Sequence, residues 1–213
     1  MKATAKLHEL GQSIWLDNIT REMLDSGRLE RYIDQYSVTG LTSNPSIFDK
    51  AIASGAYDDA IRGKASAGDR EALFFELAIE DLQRAADLFA PIHARTDGVD
   101  GWVSLEVSPV LAYDTANTVR AAKELHERGQ RANLFIKIPG TATLLAFYDH
   151  GEVGEPMPAD GGDAEATLAE FASAGIDVDQ LAAKLQSDGA QSFIDAWNDL
   201  MARIEEQRTA VHA

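Results

Sequence analysis

Four short β-like runs lie within residues 1–141 of this 213-residue chain, and a stretch with helical patterning follows each of them. Repeated alternation of strand and helix predicts a parallel sheet with helices packed against it. A closed barrel of eight such units typically takes about 250 residues, and this chain has strand signals for half of one. We therefore predict an α/β fold, a partial (β/α) barrel of about four parallel strands with flanking helices. The runs are Ile14–Asn18, Val38–Ser43, Trp102–Val107 and Asn133–Ile138.

After Thr141 the pattern changes from strands and helices to helices alone. Residues 142–148 fit either a strand or a helix, and residues 149–163 are typical of an acidic loop. Earlier helices are predicted at about 20–36 with a break near 26–27, from 45, at 69–93 and at 115–128, and later ones at about 164–173, 178–187 and 190–207. We expect one structural domain, in which residues 142–213 form a helical C-terminal region packed on the half barrel of residues 1–141.

Composition excludes several classes of function. The absence of cysteine rules out disulfides, thiolate metal sites and a cysteine nucleophile. With 19 Lys and Arg against 35 Asp and Glu, the net charge of −16 disfavours nucleic acids and anionic membranes as partners. Neither a signal peptide nor an apolar stretch of membrane-spanning length is recognisable, so we expect a cytoplasmic protein. The five histidines lack metal-binding spacing, so no metal site is predicted.

Polar residues occur near the carboxyl end of each predicted strand. Alternate residues of a strand face opposite sides, and one side of each run is aliphatic. The other side carries Asp17, Glu106 or Lys137 near the strand end, and Thr42 followed by Asn44 in the second run. Barrel active sites are built at this end of the sheet, so we predict that these residues form one site.

Each candidate also has a purely structural interpretation. Lys137 lies in an apolar run, where burial would favour a neutral amine able to attack a ketone and form a Schiff base, but it could equally extend from a sheet edge into solvent. Asp17 could cap the helix that follows it, and Asn44 before Pro45 is typical of a helix start. Glu106 is unusual in a parallel strand, because such strands are normally apolar on both faces.

Two segments resemble the signature motifs of transaldolases. They are Gly40–Phe48 (GLTSNPSIF) and Leu134–Thr141 (LFIKIPGT), and the strands Ser13–Asn18 and Val103–Pro109 are similar to those that carry the family's aspartate and glutamate. The stretch from about Ala142 is similar to the C-terminal region of the longer bacterial members. The resemblance implies a TIM-type barrel that transfers a dihydroxyacetone unit between sugar phosphates in the pentose phosphate pathway, without metal or organic cofactor.

The resemblance also implies a role for each candidate. Lys137 would form the Schiff base with the ketose carbonyl, and Asp17 would act as general acid and base at the carbon–carbon bond. Glu106 would move protons through water during imine formation and hydrolysis. Asn44 would hold the hydroxyls of the three-carbon unit, and we place Thr42 with it as a substrate-binding residue.

In this chain the segment that carries Lys137, Leu134–Thr141, is followed directly by the stretch from about Ala142 that is similar to the family's C-terminal region. The later barrel strands, with the Arg, Ser, Thr and Phe residues that complete the pocket and bind phosphate, have no counterpart here. Three hypotheses follow: a shortened transaldolase acting on sugar phosphates, a non-catalytic half barrel that self-assembles into a homo-oligomer through exposed strand edges, and a small Schiff-base aldolase that cleaves without transfer.

Overall fold

A computed structural model describes residues 3–64, 68–138 and 164–211, and in it strands and helices alternate through the first four βα units as predicted. The strands are β1 (Trp15–Asp17), β2 (Gly40–Thr42), β3 (Trp102–Glu106) and β4 (Leu134–Lys137). The helices are α1 (Ala3–Glu9), α2 (Arg21–Asp25), α3 (Arg28–Tyr36), α4 (Pro45–Ala53), α5 (Asp58–Gly63), α6 (Arg70–Arg95), α7 (Thr115–Gly129), α8 (Ala164–Ser173) and α9 (Val178–Ala210). A single 3₁₀ turn, Pro109–Leu111, follows β3.

The four strands form one parallel sheet in the order β1-β2-β3-β4. This order confirms the predicted partial α/β barrel, since consecutive strands lie side by side with helices as the crossover connections. The register pairs Asp17 with Thr42, and Glu106 with Lys137. The strand ends that carry the candidate residues therefore meet at one edge of the sheet.

The two faces of the sheet have different environments. Leu41, Val103 and Leu105 point to the helix side and are buried, where α6 packs behind β3. On the opposite face, which we call the inner face because a closed barrel would enclose it, Trp15 is 37% exposed and Phe135 is 43% exposed. The predicted alternation of the side chains is confirmed, and the inner face is open to solvent at these two rings.

Three aromatic rings lie together on the inner face. The ring of Phe135 stacks on that of Trp102 with centroids 4.0 Å apart, and Trp15 lies nearly parallel to Phe135 at 6.3 Å. The indole of Trp15 extends over Gly40, where a Cβ atom would come within 2.5 Å of it. Glycine at this position therefore leaves the space that the indole occupies.

Helices α4 and α6 each begin after a polar residue whose side chain accepts a hydrogen bond from the first turn. The side chain of Asn44 accepts a hydrogen bond from the Ile47 amide at 3.0 Å at the start of α4, and Asp69 accepts one from Ala72 at the start of α6. The break predicted near residues 26–27 is present between α2 and α3, where Gly27 has a φ of +67°. Two short helices, α1 and α5, were not predicted.

The C-terminal helices differ from the prediction. Instead of separate helices at 178–187 and 190–207, α9 is continuous through Gly189. One glycine costs a helix only about 1 kcal/mol relative to alanine, and no proline follows to end it. The last part of α9 packs against α4 and α6 through a buried stripe comprising Trp197, Leu200, Met201 and Ile204. The possible strand at 142–148 and the 141/142 boundary lie outside the described residues, so the domain division stays a prediction.

A buried polar cluster links α2, the residue that precedes α5, and α6. Asp81 on α6 is fully buried, accepts a hydrogen bond from the Tyr57 hydroxyl at 2.6 Å, and lies 3.0 Å from Nε of Arg21. Burial raises the pKa of Asp81 to about 6, although Tyr57 and Arg21 both act to lower it. The sequence analysis did not identify this cluster, because its three residues are far apart along the chain.

Candidate active site

Lys137 and Glu106 form the centre of the candidate site. Each is the last residue of its strand, and the parallel register of β3 and β4 sets them side by side. The Nζ atom of Lys137 lies 3.2 Å from Oε2 of Glu106. The lysine side chain is 35% exposed whereas that of Glu106 is 4% exposed, so the amine can meet a substrate and the carboxylate lies beneath it.

The loop after β2 supplies a second contact to the amine. Nζ of Lys137 donates a hydrogen bond to the main-chain carbonyl of Ser43 at 2.8 Å, and the Ser43 hydroxyl donates to the carbonyl of Ser104 at 2.8 Å. Sequence reasoning did not select Ser43, because strand parity turns its side chain away from the inner face and a carbonyl contact has no signature in residue type.

Thr42 and Ser104 lie beside the amine on the inner face. The Ser104 hydroxyl donates a hydrogen bond to Oγ1 of Thr42 at 2.9 Å, and both residues line the cleft in which Lys137 lies. The rings of Trp15 and Phe135 line the same cleft. Ser104 is therefore a further polar residue of the site, and its parity with Glu106 in the third run was the signal that could have selected it.

Burial governs the electrostatics of Glu106. The removal of its carboxylate from water raises the pKa of Glu106, and the nearby Lys137 ammonium acts in the opposite direction. A carboxylate with a raised pKa is a better proton acceptor than an ordinary one. Glu106 is thus placed to take a proton from the amine, either directly or through a water molecule.

Asp17 and Asn44 lie at the same end of the sheet but make other contacts. Asp17 is exposed and lines a neighbouring cleft together with Thr20 and Lys50. The side-chain oxygen of Asn44 accepts the α4 capping hydrogen bond. The structure thus brings together Lys137 and Glu106, with Thr42 in the same cleft, while the roles predicted for Asp17 and Asn44 stay predictions.

The described residues contain neither a metal-binding cluster nor a membrane-spanning helix. Within residues 3–64, 68–138 and 164–211, no group of three His, Asp or Glu side chains is arranged to hold a metal ion. No described helix is both long enough and apolar enough to cross a membrane.

The fold is a partial α/β barrel with a lysine and a glutamate side by side at adjacent strand ends, the edge at which enzymes of the βα-barrel class carry their active sites. The family model for transaldolase/fructose-6-phosphate aldolase matches residues 14–145, more than half of the chain. The chain belongs to this family, which confirms the resemblance seen in its motifs.

Individual relatives show the same relationship over the same part of the chain. A transaldolase of Arthrobacter sp. (strain FB24) is 48% identical over 140 residues, which are 65% of this chain and 38% of that protein. A transaldolase of Thiobacillus denitrificans is 45% identical over 143 residues, 66% of this chain and 40% of that protein. One from Mycobacterium bovis is 45% identical over 143 residues, 66% of this chain and 38% of that protein. The chain thus spans about two fifths of the length of these relatives.

Proposed function

We propose that this chain catalyses a transaldolase-type reaction, the transfer of a dihydroxyacetone unit between sugar phosphates through a Schiff base on Lys137. One observation carries the proposal. In this member of the family, the amine of Lys137 lies 3.2 Å from the buried carboxylate of Glu106, and both residues end their strands at the same edge of the sheet. The two groups provide a nucleophile and a proton acceptor at the place where barrel enzymes hold their substrates. We place the reaction in the cytoplasm.

The reaction begins with a proton transfer from the Lys137 ammonium to Glu106. The neutral amine then adds to the ketose carbonyl of fructose 6-phosphate, Glu106 returns the proton to the departing hydroxyl, and loss of water leaves the protonated imine. Asp17 takes the proton of the C4 hydroxyl as the C3–C4 bond breaks, which releases glyceraldehyde 3-phosphate and leaves a three-carbon enamine on Lys137. The enamine adds to an acceptor aldehyde such as erythrose 4-phosphate while Asp17 returns its proton to the new hydroxyl, and hydrolysis of the new protonated imine frees the lysine. In this scheme Asn44 and Thr42 hold the hydroxyls of the three-carbon unit.

Phosphate binding is the weak part of this site. Lys137 is the only cation among the described residues that line its cleft, and it is paired with Glu106. Tight phosphate recognition usually depends on Arg or on several donors. We therefore expect a higher KM for sugar phosphates than in an enzyme whose site has an arginine for the phosphate. Most of the resulting decrease in kcat/KM should come from weaker substrate binding.

Product analysis with and without an acceptor tests the reaction type. With fructose 6-phosphate and erythrose 4-phosphate together, the proposal predicts sedoheptulose 7-phosphate and glyceraldehyde 3-phosphate in equal amounts. Free dihydroxyacetone formed at the same rate whether or not acceptor is present would contradict transfer and support the small Schiff-base aldolase. A Lys137→Met variant is the control for contaminating enzyme, because it removes the amine and retains the apolar stem.

The exposed inner face favours a second candidate, a half barrel that assembles with copies of itself. The described residues form four strands, half of the eight that close a barrel, and Trp15 and Phe135 are left partly in water. Pairing of the β1 edge of one copy with the β4 edge of another would cover that face. Sedimentation at several protein concentrations tests this candidate: a chain that stays at 23.1 kDa throughout would exclude it.

A further inference from the structure

The cleft beside Lys137 has an aromatic wall, formed by Trp15 and Phe135, that has no role in the proposed transfer of a sugar phosphate. Trp15 and Phe135 line this cleft and present 37% and 43% of their surfaces to solvent. Trp102 stacks on Phe135 with ring centroids 4.0 Å apart and an angle of 5° between the ring planes. The cleft therefore offers a flat ring surface on the same face as a reactive amine.

The polar groups of this cleft match a small uncharged carbonyl compound. Its described lining contains two hydroxyl groups, on Thr42 and Ser104, that are hydrogen-bonded to each other, and a single cation, Lys137. An anionic substrate finds no second positive charge here, whereas an aromatic ring finds partners for stacking. Apolar walls with few polar groups are typical of sites for small apolar ligands.

We propose that Lys137 also forms an imine with planar aromatic aldehydes, whose ring packs against Trp15 and Phe135. The amine adds to the aldehyde carbon, Glu106 takes the proton from the ammonium and returns one to the departing hydroxyl, and one water molecule leaves as the C=N bond forms. The reaction needs no oxidant or reductant. It shares the Lys137 nucleophile with the proposed function but not its substrate, its phosphate or its carbon–carbon cleavage.

Reductive trapping with 2-naphthaldehyde and cyanoborohydride tests the inference, with intact mass and peptide mapping as readouts. We expect a single adduct on Lys137, formed at least about 10-fold faster than on Lys184, whose side chain is 70% exposed on α9. Trp15→Leu and Phe135→Leu should each slow trapping of naphthaldehyde several-fold. Trapping of dihydroxyacetone, which has no ring, should change less than twofold in the same variants.

Tyr113→Leu is the matched control, because this residue is 88% exposed and lies away from the cleft; its trapping rate should equal that of the unsubstituted chain. Circular dichroism confirms that each variant is folded. Adducts distributed over the lysines according to exposure, or equal effects of the ring variants on both carbonyl compounds, would overturn the inference. Fructose 6-phosphate is trapped in parallel. An adduct with naphthaldehyde alone would support this inference and contradict the proposed function. An adduct with the sugar phosphate alone would support the proposed function and contradict this inference.

Discussion

Replacement of Glu106 by glutamine is expected to lower the rate of imine formation on Lys137 by about 10²- to 10⁴-fold, the usual contribution of a positioned acid or base. The carboxylate is 4% exposed and 3.2 Å from the amine, so no bulk water can replace it in the same geometry. Glutamine has the same shape but cannot take a proton. The measurement is the rate of borohydride trapping with fructose 6-phosphate under single-turnover conditions.

The pH profile distinguishes a proton acceptor from a merely structural residue. Glu106 must be ionised to accept a proton, and burial raises the pKa of Glu106. The trapping rate of the unsubstituted chain should therefore fall as the pH decreases, beginning at a higher pH than the value of about 4.3 that is typical of glutamate. The pH profile of Glu106→Gln should differ from that of the unsubstituted chain, because the carboxylate that sets this fall is absent.

Glu127→Gln provides the control, since this residue is exposed on α7 far from the strand ends. It should leave both the rate and the pH profile unchanged. If Glu106→Gln had the same pH profile as the unsubstituted chain, or lost less than threefold in rate, Glu106 would not be the proton acceptor.

Replacement of Arg21 by methionine is expected to lower the free energy of unfolding by about 3–5 kcal/mol at pH 8. Asp81 is fully buried and Arg21 is the cation 3.0 Å from it, so the variant leaves a buried carboxylate without its counter-charge. The loss should be smaller at acid pH. Because the pKa of Asp81 is raised to about 6 in the folded chain, the folded state gains from protonation at low pH and loses that gain as the pH rises through this value.

Urea unfolding at pH 5 and pH 8 measures the effect. Arg28→Met is the matched control, because Arg28 forms an exposed ion pair with Glu22 and such pairs contribute less than about 1 kcal/mol. Arg21→Met/Asp81→Leu should recover much of the stability by removing both charges. A loss in Arg21→Met no larger than that in Arg28→Met at pH 8 would contradict the account of this cluster.

The sequence was sufficient to predict the sheet and the central pair of the site. Four strand signals with helices between them allow one simple topology, and alternation within the strands turns Glu106 and Lys137 to the same face as Trp15 and Phe135. The pairing of Glu106 with Lys137 then follows from the parallel register of β3 and β4.

Features that depend on tertiary packing were beyond sequence reasoning. The carbonyl of Ser43 reaches the amine because the β2–α4 loop turns at that point, and every residue type has such a carbonyl. The cluster of Arg21, Tyr57 and Asp81 forms only when three helical regions pack together. The continuity of α9 was also missed, since a glycine such as Gly189 after Ser187 and Asp188 is typical of a helix end. Packing of the following turns against α4 and α6 favours one long helix.

The most direct test of the Schiff-base mechanism is borohydride trapping on the folded chain with fructose 6-phosphate, read by intact mass and peptide mapping. The account predicts one reduced adduct, located on Lys137, that persists in Lys184→Met and is absent from Lys137→Met. A folded chain that forms no adduct, or one whose adduct lies on another lysine, would contradict the assignment of Lys137 as the catalytic nucleophile.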